Sequence, residues 1–216
     1  MTIAAVVAAA LVLSGCSVFG MRGATETPDY EVAATLASGV EIRRYGERLA
    51  AETAVQAAPG ARNDAFRRLA DYIFGGNAAE RNIAMTTPVA TAARPPGGRD
   101  DAGAPPAPVA GDARGGALVM RFFLPRDIEP GAAPPPRDPR VRLVEVPAET
   151  LAVLRFSGRP SDARVVERTD ELLAALDQAG IEPQGQPQAF FYDPPWTLPP
   201  LRRNEVAVPV APEAAG

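Results

Sequence analysis

The side chains that could perform chemistry in this chain are few, and several common catalytic types are missing. The sequence contains no histidine, all 22 of its basic residues are arginine, and its single cysteine is Cys16. These absences exclude a Ser-His or Cys-His nucleophile pair, a Schiff-base or P-loop lysine, and a histidine metal site. No pair of carboxylates lies in a context that suggests acid–base catalysis. The composition therefore favours a binding protein over an enzyme.

One short stretch combines arginine and aromatic side chains in a pattern that could contact a ligand. Apolar residues at three- and four-residue spacing predict a helix over 64–74 that packs on a sheet. The predicted apolar face consists of Phe66, Leu69, Ala70, Ile73 and Phe74. Asn63 or Asp64 is the predicted N-cap, and Gly75 with Gly76 is predicted to end the helix. The side chains predicted on the opposite face are Arg67, Arg68, Asp71 and Tyr72.

The rest of the chain supplies the strands on which this helix must pack. Two stretches, 29–124 and 141–210, each read as strand, strand, helix, strand, strand. The second helix is predicted over 162–179, with Ser161 or Asp162 as its N-cap. Neither half could bury its sheet and helix alone, so we expect the two halves to pair. The sequence thus predicts an α+β fold, a pseudo-twofold and distorted antiparallel β-barrel flanked by two helices.

Three segments are predicted to lie outside the compact body. Residues 94–116 are rich in proline and glycine and lack apolar periodicity, so we predict a flexible surface loop. Residues 16–28 are predicted to form a tether and 211–216 a loose tail, which leaves 29–210 as one domain. The net charge of −4 provides no basic surface for nucleic acid, and we expect none to bind.

The first residues have the pattern of a secretory signal. The apolar run over 3–13 is too short to span a bilayer, and it leads into the tetrapeptide LSGC at 13–16. This tetrapeptide resembles a bacterial lipobox, in which the cysteine thiol is lipidated. We predict a lipoprotein signal peptide over 1–15 and a lipid anchor at Cys16. By resemblance to Gram-negative lipoproteins, the anchored domain would face the periplasm, and Ser17, which is not aspartate, favours the outer membrane. The alternative is an ordinary signal peptide with a chance cysteine.

Several segments in combination resemble the SOUL haem-binding protein family. The most specific are MTTPV (85–89), which follows the helix-GG turn, and YDPP (192–195) with RRNE (202–205). The other matching segments are VEIRRYGERLAAETAV (40–55), FRRLADYIFGGN (66–77), MRFFLP (120–125) and RVRLVEVPAETLAVLRFSG (140–158). The resemblance covers nearly all of 29–210. It implies a pseudo-twofold α+β barrel that binds haem or a related tetrapyrrole.

The resemblance also implies that the tetrapyrrole lies on the first helix and against nearby loops. Carried over by position, the predicted binding residues are Arg67, Arg68, Asp71, Tyr72, Met85, Tyr192 and Trp196. A porphyrin is a flat apolar disc with two carboxylates, so Arg67 and Arg68 could supply cations for its propionates. The alternative is a solvated helix face on which Arg67 pairs with Asp71, an interaction worth about 0.3 kcal/mol.

Ligation of the haem iron is left open by the sequence. Some members of the family are thought to use an axial histidine, and this chain has none. Met85 could offer a thioether, and Tyr72 or Tyr192 a phenolate, with ordinary packing as the alternative for each. Trp196 could stack on the ring or hold its own loop in place. Glu205 is predicted to pair with an arginine for a structural reason.

Three functions are compatible with these observations. The preferred one is non-enzymatic binding of haem or a related tetrapyrrole by a monomeric, lipid-anchored envelope protein. The alternative keeps the fold but gives it another amphipathic ligand, or a structural or partner-binding role in the envelope without haem. A haem-dependent enzyme, such as a peroxidase or a dechelatase, is least favoured because histidine and lysine are absent.

Overall fold

The computed structural model describes residues 25–94 and 116–215. The predicted signal peptide over 1–15, Cys16, most of the predicted tether and nearly all of the predicted loop over 94–116 lie outside these residues. The predictions made for those segments therefore stay predictions.

The described residues form nine strands and two α-helices. The strands are β1 (Tyr30–Thr35), β2 (Glu41–Tyr45), β3 (Arg48–Gln56), β4 (Val89–Arg94), β5 (Ala117–Phe123), β6 (Val141–Val146), β7 (Glu149–Phe156), β8 (Gln188–Phe191) and β9 (Asn204–Pro209). The helices are α1 (Ala61–Ile73) and α2 (Asp162–Gln178). Two short 3₁₀ helices follow at Pro199–Leu201 and Pro212–Ala215. Met85 lies before β4, which begins directly after Pro88, a residue with no N–H to donate to a sheet.

All nine strands belong to one sheet, whose order is β1-β2-β7-β9-β8-β4-β5-β3-β6. Every neighbouring pair is antiparallel, and the sheet curls into a half-barrel that carries two helices. The predicted α+β class is confirmed. Within the described residues β1 pairs with β2 alone and β6 with β3 alone, so these strands are edges and the half-barrel is open where the sequence predicted a barrel.

The order of the strands has a regular pattern. Without β1, each strand of the first half has a counterpart four numbers later in the second half, so that β2 corresponds to β6, β3 to β7, β4 to β8 and β5 to β9. Corresponding strands lie at equal distances from the two ends of the sheet. In the same way α1 follows β3 and α2 follows β7. This is the order that two paired halves would produce, with β1 as a strand that has no counterpart. Duplication of the halves itself stays a prediction.

The two faces of the sheet pack against different partners. Side chains alternate along β3, so that Ala50 belongs to the inner core and Ala51 to the core beneath α1. On the outer face α1 packs on β3, β5 and β6, while α2 packs on β7 and β9. The concave inner core consists mainly of Tyr45, Ala50, Ala90, Phe123, Val144, Val146, Leu151, Val153, Phe190, Tyr192 and Ala207. Apolar side chains therefore fill much of the half-barrel.

Helix α1 begins earlier than the sequence predicted, and a different side of it faces the sheet. It starts at Ala61 after Gly60, whose φ of 88° suits glycine, and the N-cap makes no side-chain hydrogen bond. The predicted caps Asn63 and Asp64 therefore lie within the first turn. The buried side chains are Ala61, Ala65, Leu69, Tyr72 and Ile73. This stripe has helical spacing but is rotated by about one position from the predicted face, which leaves Phe66 and Phe74 partly outside.

Helix α2 follows its predicted boundaries more closely. The Ser161 side chain accepts a hydrogen bond from the N–H of Arg164 at 3.3 Å, as predicted for an N-cap. Leu172 and Leu176 are fully buried against the sheet. Val166 of the same helix is 59% exposed.

Candidate functional site

The exposed side of α1 carries an ion pair other than the one considered from the sequence. Arg67 donates to the carboxylate of Asp64, one turn earlier, rather than to that of Asp71. Both partners are largely exposed, so the pair adds little stability. The carbonyl of Asp71 accepts the N–H of Gly76 at 2.8 Å and helps to close the helix. Arg67 is thus the cation that α1 presents to solvent beside Phe66.

Arg68 points towards the sheet and not along a solvent rim. Its Nη1 donates to Thr53 Oγ1 at 2.8 Å and to the carbonyl of Ala54 at 3.3 Å. Its Nε lies 4.0 Å from Asp138 Oδ2, and its side chain is 14% exposed. Burial, together with the nearby Arg140, lowers the pKa of Arg68. It borders a cavity of about 240 Å³, which is smaller than the sites of about 300–1,000 Å³ that usually hold a ligand.

The two tyrosines among the predicted binding residues are buried, so the prediction that Tyr72 lies on the exposed side of α1 is wrong. Tyr72 Oη donates to the carbonyl of Pro134 at 3.1 Å, and burial raises the pKa of Tyr72 to about 12. Tyr192 Oη donates to Glu205 Oε2 at 2.6 Å, and burial beside the Glu205 carboxylate raises the pKa of Tyr192 as well. In this arrangement neither phenol is available as a phenolate to a ligand on the surface.

Four of the seven predicted binding residues have exposed side chains, namely Arg67, Asp71, Met85 and Trp196. Met85 is 38% exposed and Trp196 is 64% exposed. The turn that carries Trp196 is fixed by Arg202, whose Nε donates to the carbonyl of Thr197 at 2.8 Å. In the described part of the chain, no side-chain hydrogen bond, ion pair or ring contact joins any two of the seven predicted residues. Their roles in binding stay predictions.

An exposed apolar strip runs along α1, and the sequence did not predict it as a surface. Phe66 is 38% exposed and packs its inner edge on Phe122, with the ring centroids 5.2 Å apart. Phe74 is 64% exposed and lies eight residues further on, or about 12 Å along the helix axis. Because residues 66, 70 and 74 share one side of the helix, the two rings lie on the same stripe. We call Phe66, Ala70 and Phe74 the helix strip.

A buried ion cluster lies inside the half-barrel around Glu205, which has no exposed surface. Arg43 donates to both carboxylate oxygens, at 3.0 and 3.2 Å, and Arg203 donates through Nε at 2.9 Å. Burial alone would raise the pKa of Glu205, but Arg43 and Arg203 outweigh it and hold the pKa below its usual value. The predicted arginine partnership of Glu205 is confirmed. Because every oxygen of the carboxylate is engaged, the cluster is structural.

A second buried carboxylate, Glu52, lies among three arginines on neighbouring strands. Arg121 Nε donates to Glu52 Oε2 at 2.8 Å, and Arg142 Nη2 donates to Oε1. Arg94 Nη2 lies 3.8 Å from Oε1. The sequence did not predict this cluster. A glutamate in the middle of the apolar β3 was the available signal, because a charge in such a position needs partners when it is buried.

A cavity of about 670 Å³ lies at one end of the curled sheet, and we call it the mouth pocket. Its walls come from the chain that enters β1, the β2–β3 turn, the segment after β5 and the β6–β7 turn. The lining includes Pro28, Leu49, Phe123, Leu124, Pro125, Ile128, Pro130, Val146 and Pro147. Its charged members are Glu26, Asp29, Glu47, Arg48, Arg126, Glu129 and Glu145. None of the seven predicted binding residues lines it.

Two general features bear on the class of site. Over residues 25–94 and 116–215, no helix is long and apolar enough to cross a membrane. Within the same residues, no three histidine, cysteine or carboxylate side chains gather as a metal site would require.

Solved structures show where else this arrangement of sheet and helices occurs. The C-terminal domain of EcmrR matches with a TM-score of 0.52 at 11% identity, covering 84% of this chain and 98% of that one. A hydrolase from Listeria innocua matches with a TM-score of 0.55 at 12% identity, over 80% and 91%. An uncharacterized conserved protein from Listeria innocua matches with 0.56 at 10% identity, over 88% and 94%. At these identities the likeness shows a shared fold alone.

The sequence places the chain more narrowly within that class of curled-sheet proteins. The model of the family described as SOUL heme-binding protein matches residues 25–209. The chain therefore belongs to the SOUL heme-binding protein family, as its motifs predicted. No curated protein sequence matches it. Membership makes haem or a related tetrapyrrole the ligand to consider first.

Proposed function

We propose that this protein binds haem or a related tetrapyrrole without catalysing a reaction, and that lipid on Cys16 anchors it to the cell envelope. The observation that carries the binding proposal is the family match over residues 25–209. The chain lacks the histidine and lysine that haem enzymes and many hydrolases use for proton transfer. The likeness to a hydrolase at 12% identity concerns the fold and names no catalytic residue here.

The helix strip is the surface on α1 that suits the face of a porphyrin. Phe66 and Phe74 offer exposed aromatic area about 12 Å apart, comparable to the width of a macrocycle. Arg67 could exchange its weak, exposed pair with Asp64 for a pair with a propionate. Bound haem would supply its own iron and ring chemistry, while these side chains would orient the ring and shield one face from water. Met85 is the exposed candidate for a contact with iron.

The mouth pocket suits a dianionic tetrapyrrole less well than the helix strip does. Five carboxylates line it against two guanidinium groups, so its walls would repel propionates. An open strip, in contrast, excludes water from one face of the ring only. We therefore expect binding in the micromolar range that is governed by apolar contact rather than by iron coordination.

Titration of hemin into the purified full-length protein tests this function. A saturable shift of the Soret band at micromolar protein is expected. Phe66→Ala with Phe74→Ala removes aromatic contact and should weaken binding about tenfold, since each ring can cover roughly 30 Å² of the ligand. Val166→Ala is the control, because it removes from α2 an apolar side chain that is about as exposed as that of Phe74. Absence of a saturable shift in the parent protein would remove the haem proposal.

The envelope location has its own test, which does not depend on haem. Metabolic labelling with a radioactive fatty acid should mark the parent chain, and Cys16→Ser should abolish the label and release the protein from the membrane fraction. A variant that stays membrane-bound and labelled would refute lipidation at Cys16.

A second candidate function keeps the fold and replaces haem by another amphipathic ligand. The observation that favours it is the charge of the mouth pocket, which is opposite to that expected for a propionate site. Native mass spectrometry of the purified protein separates the two candidates, since a co-purifying porphyrin supports the first and a different small molecule supports the second.

A further inference from the structure

The mouth pocket has the size and composition of a ligand site that the proposed haem function does not use. At about 670 Å³ it falls within the range of about 300–1,000 Å³ that is typical of small-molecule sites. Leu49, Leu124, Ile128 and Val146 give it an apolar floor, and proline rings from three separate segments add rigid apolar walls. An apolar molecule held there would lose part of its contact with water, and such loss is the main source of affinity for apolar ligands.

The charges of the lining select the kind of ligand. Five carboxylates and two guanidinium groups line the pocket, a net charge of −3. Arg126 is already bound by Glu26 and by Asp29, whose Oδ2 lies 2.6 Å from Arg126 Nη1. Arg48 donates to the carboxylate of Glu149, which is not among the residues that line the pocket. The guanidinium groups are thus neutralised by the protein itself, and the excess negative charge is left for a ligand.

Three of the carboxylates carry that excess. Glu47, Glu129 and Glu145 are exposed at the rim, and in the described part of the chain no side-chain hydrogen bond or ion pair engages them. They come from three segments, the β2–β3 turn, the loop after β5 and the end of β6. Folding therefore brings together charges that are far apart in sequence, around a single apolar cavity.

Arg48 supplies an independent sign that a ligand is accommodated. Its side chain is only 9% exposed, and its Nε–H is buried without a hydrogen-bond acceptor among the described residues. The guanidinium stacks over the rings of Tyr45 and Phe123, 4.7 and 4.8 Å from their centroids, so it is held in one place. A buried donor without an acceptor is costly, and a ligand oxygen that reached this N–H from the pocket would remove that cost.

We propose that the mouth pocket binds an amphipathic aromatic cation that carries a hydrogen-bond acceptor. The rings lie on the apolar floor, the positive charge lies among Glu47, Glu129 and Glu145, and the acceptor faces Arg48. This site is distinct from the helix strip, and its charge preference is the reverse of that for a propionate-bearing ring.

Two xanthene dyes with the same ring system and opposite charge provide the test. Rhodamine 6G is cationic and carries an ester, whereas fluorescein is anionic. Fluorescence anisotropy with the full-length protein should show saturable binding of rhodamine 6G at micromolar protein and at least tenfold weaker binding of fluorescein. Raising the salt concentration should weaken the rhodamine complex, because the rim charges are exposed. Equal binding of the two dyes, or no saturable binding of rhodamine 6G, would overturn the proposal.

A charge variant shows where the dye binds. Glu47→Gln, Glu129→Gln and Glu145→Gln together should weaken rhodamine 6G about tenfold, since each exposed charge contributes a factor of about two to three. The matched control removes three exposed carboxylates near α2, as Asp170→Asn, Asp177→Asn and Glu182→Gln, and should leave the affinity unchanged. Hemin titration of the same variants separates this site from the helix strip, because hemin binding should not fall in either one. Equal loss of dye affinity in both variants would refute the assignment to the mouth pocket.

Discussion

Replacing Glu205 by glutamine should destabilise the fold more than any exposed charge change, and the buried ion cluster indicates by how much. The carboxylate is fully buried and accepts from Arg43, Arg203 and the Tyr192 hydroxyl, at 2.6–3.2 Å. The glutamine amide keeps one acceptor oxygen but turns an N–H₂ group towards these donors. The guanidinium groups of Arg43 and Arg203 are then left without this buried counterion. Breaking a buried pair in this way typically costs about 3–5 kcal/mol.

The measurements are urea unfolding and thermal unfolding at pH 7, both followed by circular dichroism. For a domain of this size the loss should lower Tm by roughly 6–20 °C, at about 2–4 °C per kcal/mol. Glu31→Gln is the control, because Glu31 is 71% exposed and its oxygen lies 3.7 Å from Arg44 Nη1. That surface pair should contribute less than about 1 kcal/mol. A loss below 1 kcal/mol for Glu205→Gln would show that the cluster is not the electrostatic centre described here.

The contribution of Glu205 to stability should also depend on pH, which provides a second, independent test. The pKa of Glu205 is lower in the folded protein than its ordinary value of 4.5, so the unfolded chain binds the proton more readily. The stabilisation from Glu205 is therefore complete above about pH 4.5 and is lost as the pH falls through the folded pKa. The difference in unfolding free energy between the parent and Glu205→Gln should shrink under acid. A constant difference from pH 7 to pH 3 would contradict this reasoning.

Three further predictions concern single residues. Tyr72, whose pKa is raised to about 12 by burial, should stay neutral in the folded protein at pH 10, where a tyrosine of the unfolded chain is half ionised, and its share of stability should be lost between these values; absorbance at 295 nm, compared with that of Tyr72→Phe, measures its ionisation. Ser161→Ala should cost about 1 kcal/mol in urea unfolding, since it removes the α2 cap. Gly76→Ala should cost about 1–3 kcal/mol, because a Cβ would lie 2.7 Å from the Asp71 carbonyl, whereas Gly46→Ala meets nothing within 4 Å.

The sequence predicted the class of fold and most elements because strand alternation and helical spacing are local properties. The sequence predicted the wrong buried face for α1, because Phe66 and Phe74 fit an apolar stripe as well as Leu69 and Ile73 do. What decides between the faces is not local. Tyr72 is drawn inward by the carbonyl of Pro134, which lies 62 residues away and accepts its hydroxyl.

The buried charges show the same limit in another form. Glu205 was predicted to pair with an arginine, and Arg203 two residues away is one partner. The other partner, Arg43, is 162 residues distant, and the pairing order of nine strands is needed to bring it close. Glu52 and its three arginines were missed for that reason. A charged residue inside an apolar strand indicates that a partner exists, but the partner can be identified only from the tertiary structure.

The candidate sites differ most clearly in charge, and that difference makes their functions separable. The helix strip presents exposed aromatic rings beside Arg67, whereas the mouth pocket presents an apolar floor beneath unpaired carboxylates. A dianionic ring and an aromatic cation should therefore bind at different places and not compete. Saturating hemin should leave the affinity for rhodamine 6G within about twofold. If hemin displaces the dye stoichiometrically, one surface accepts both molecules, and the charge of the lining does not decide what this protein binds.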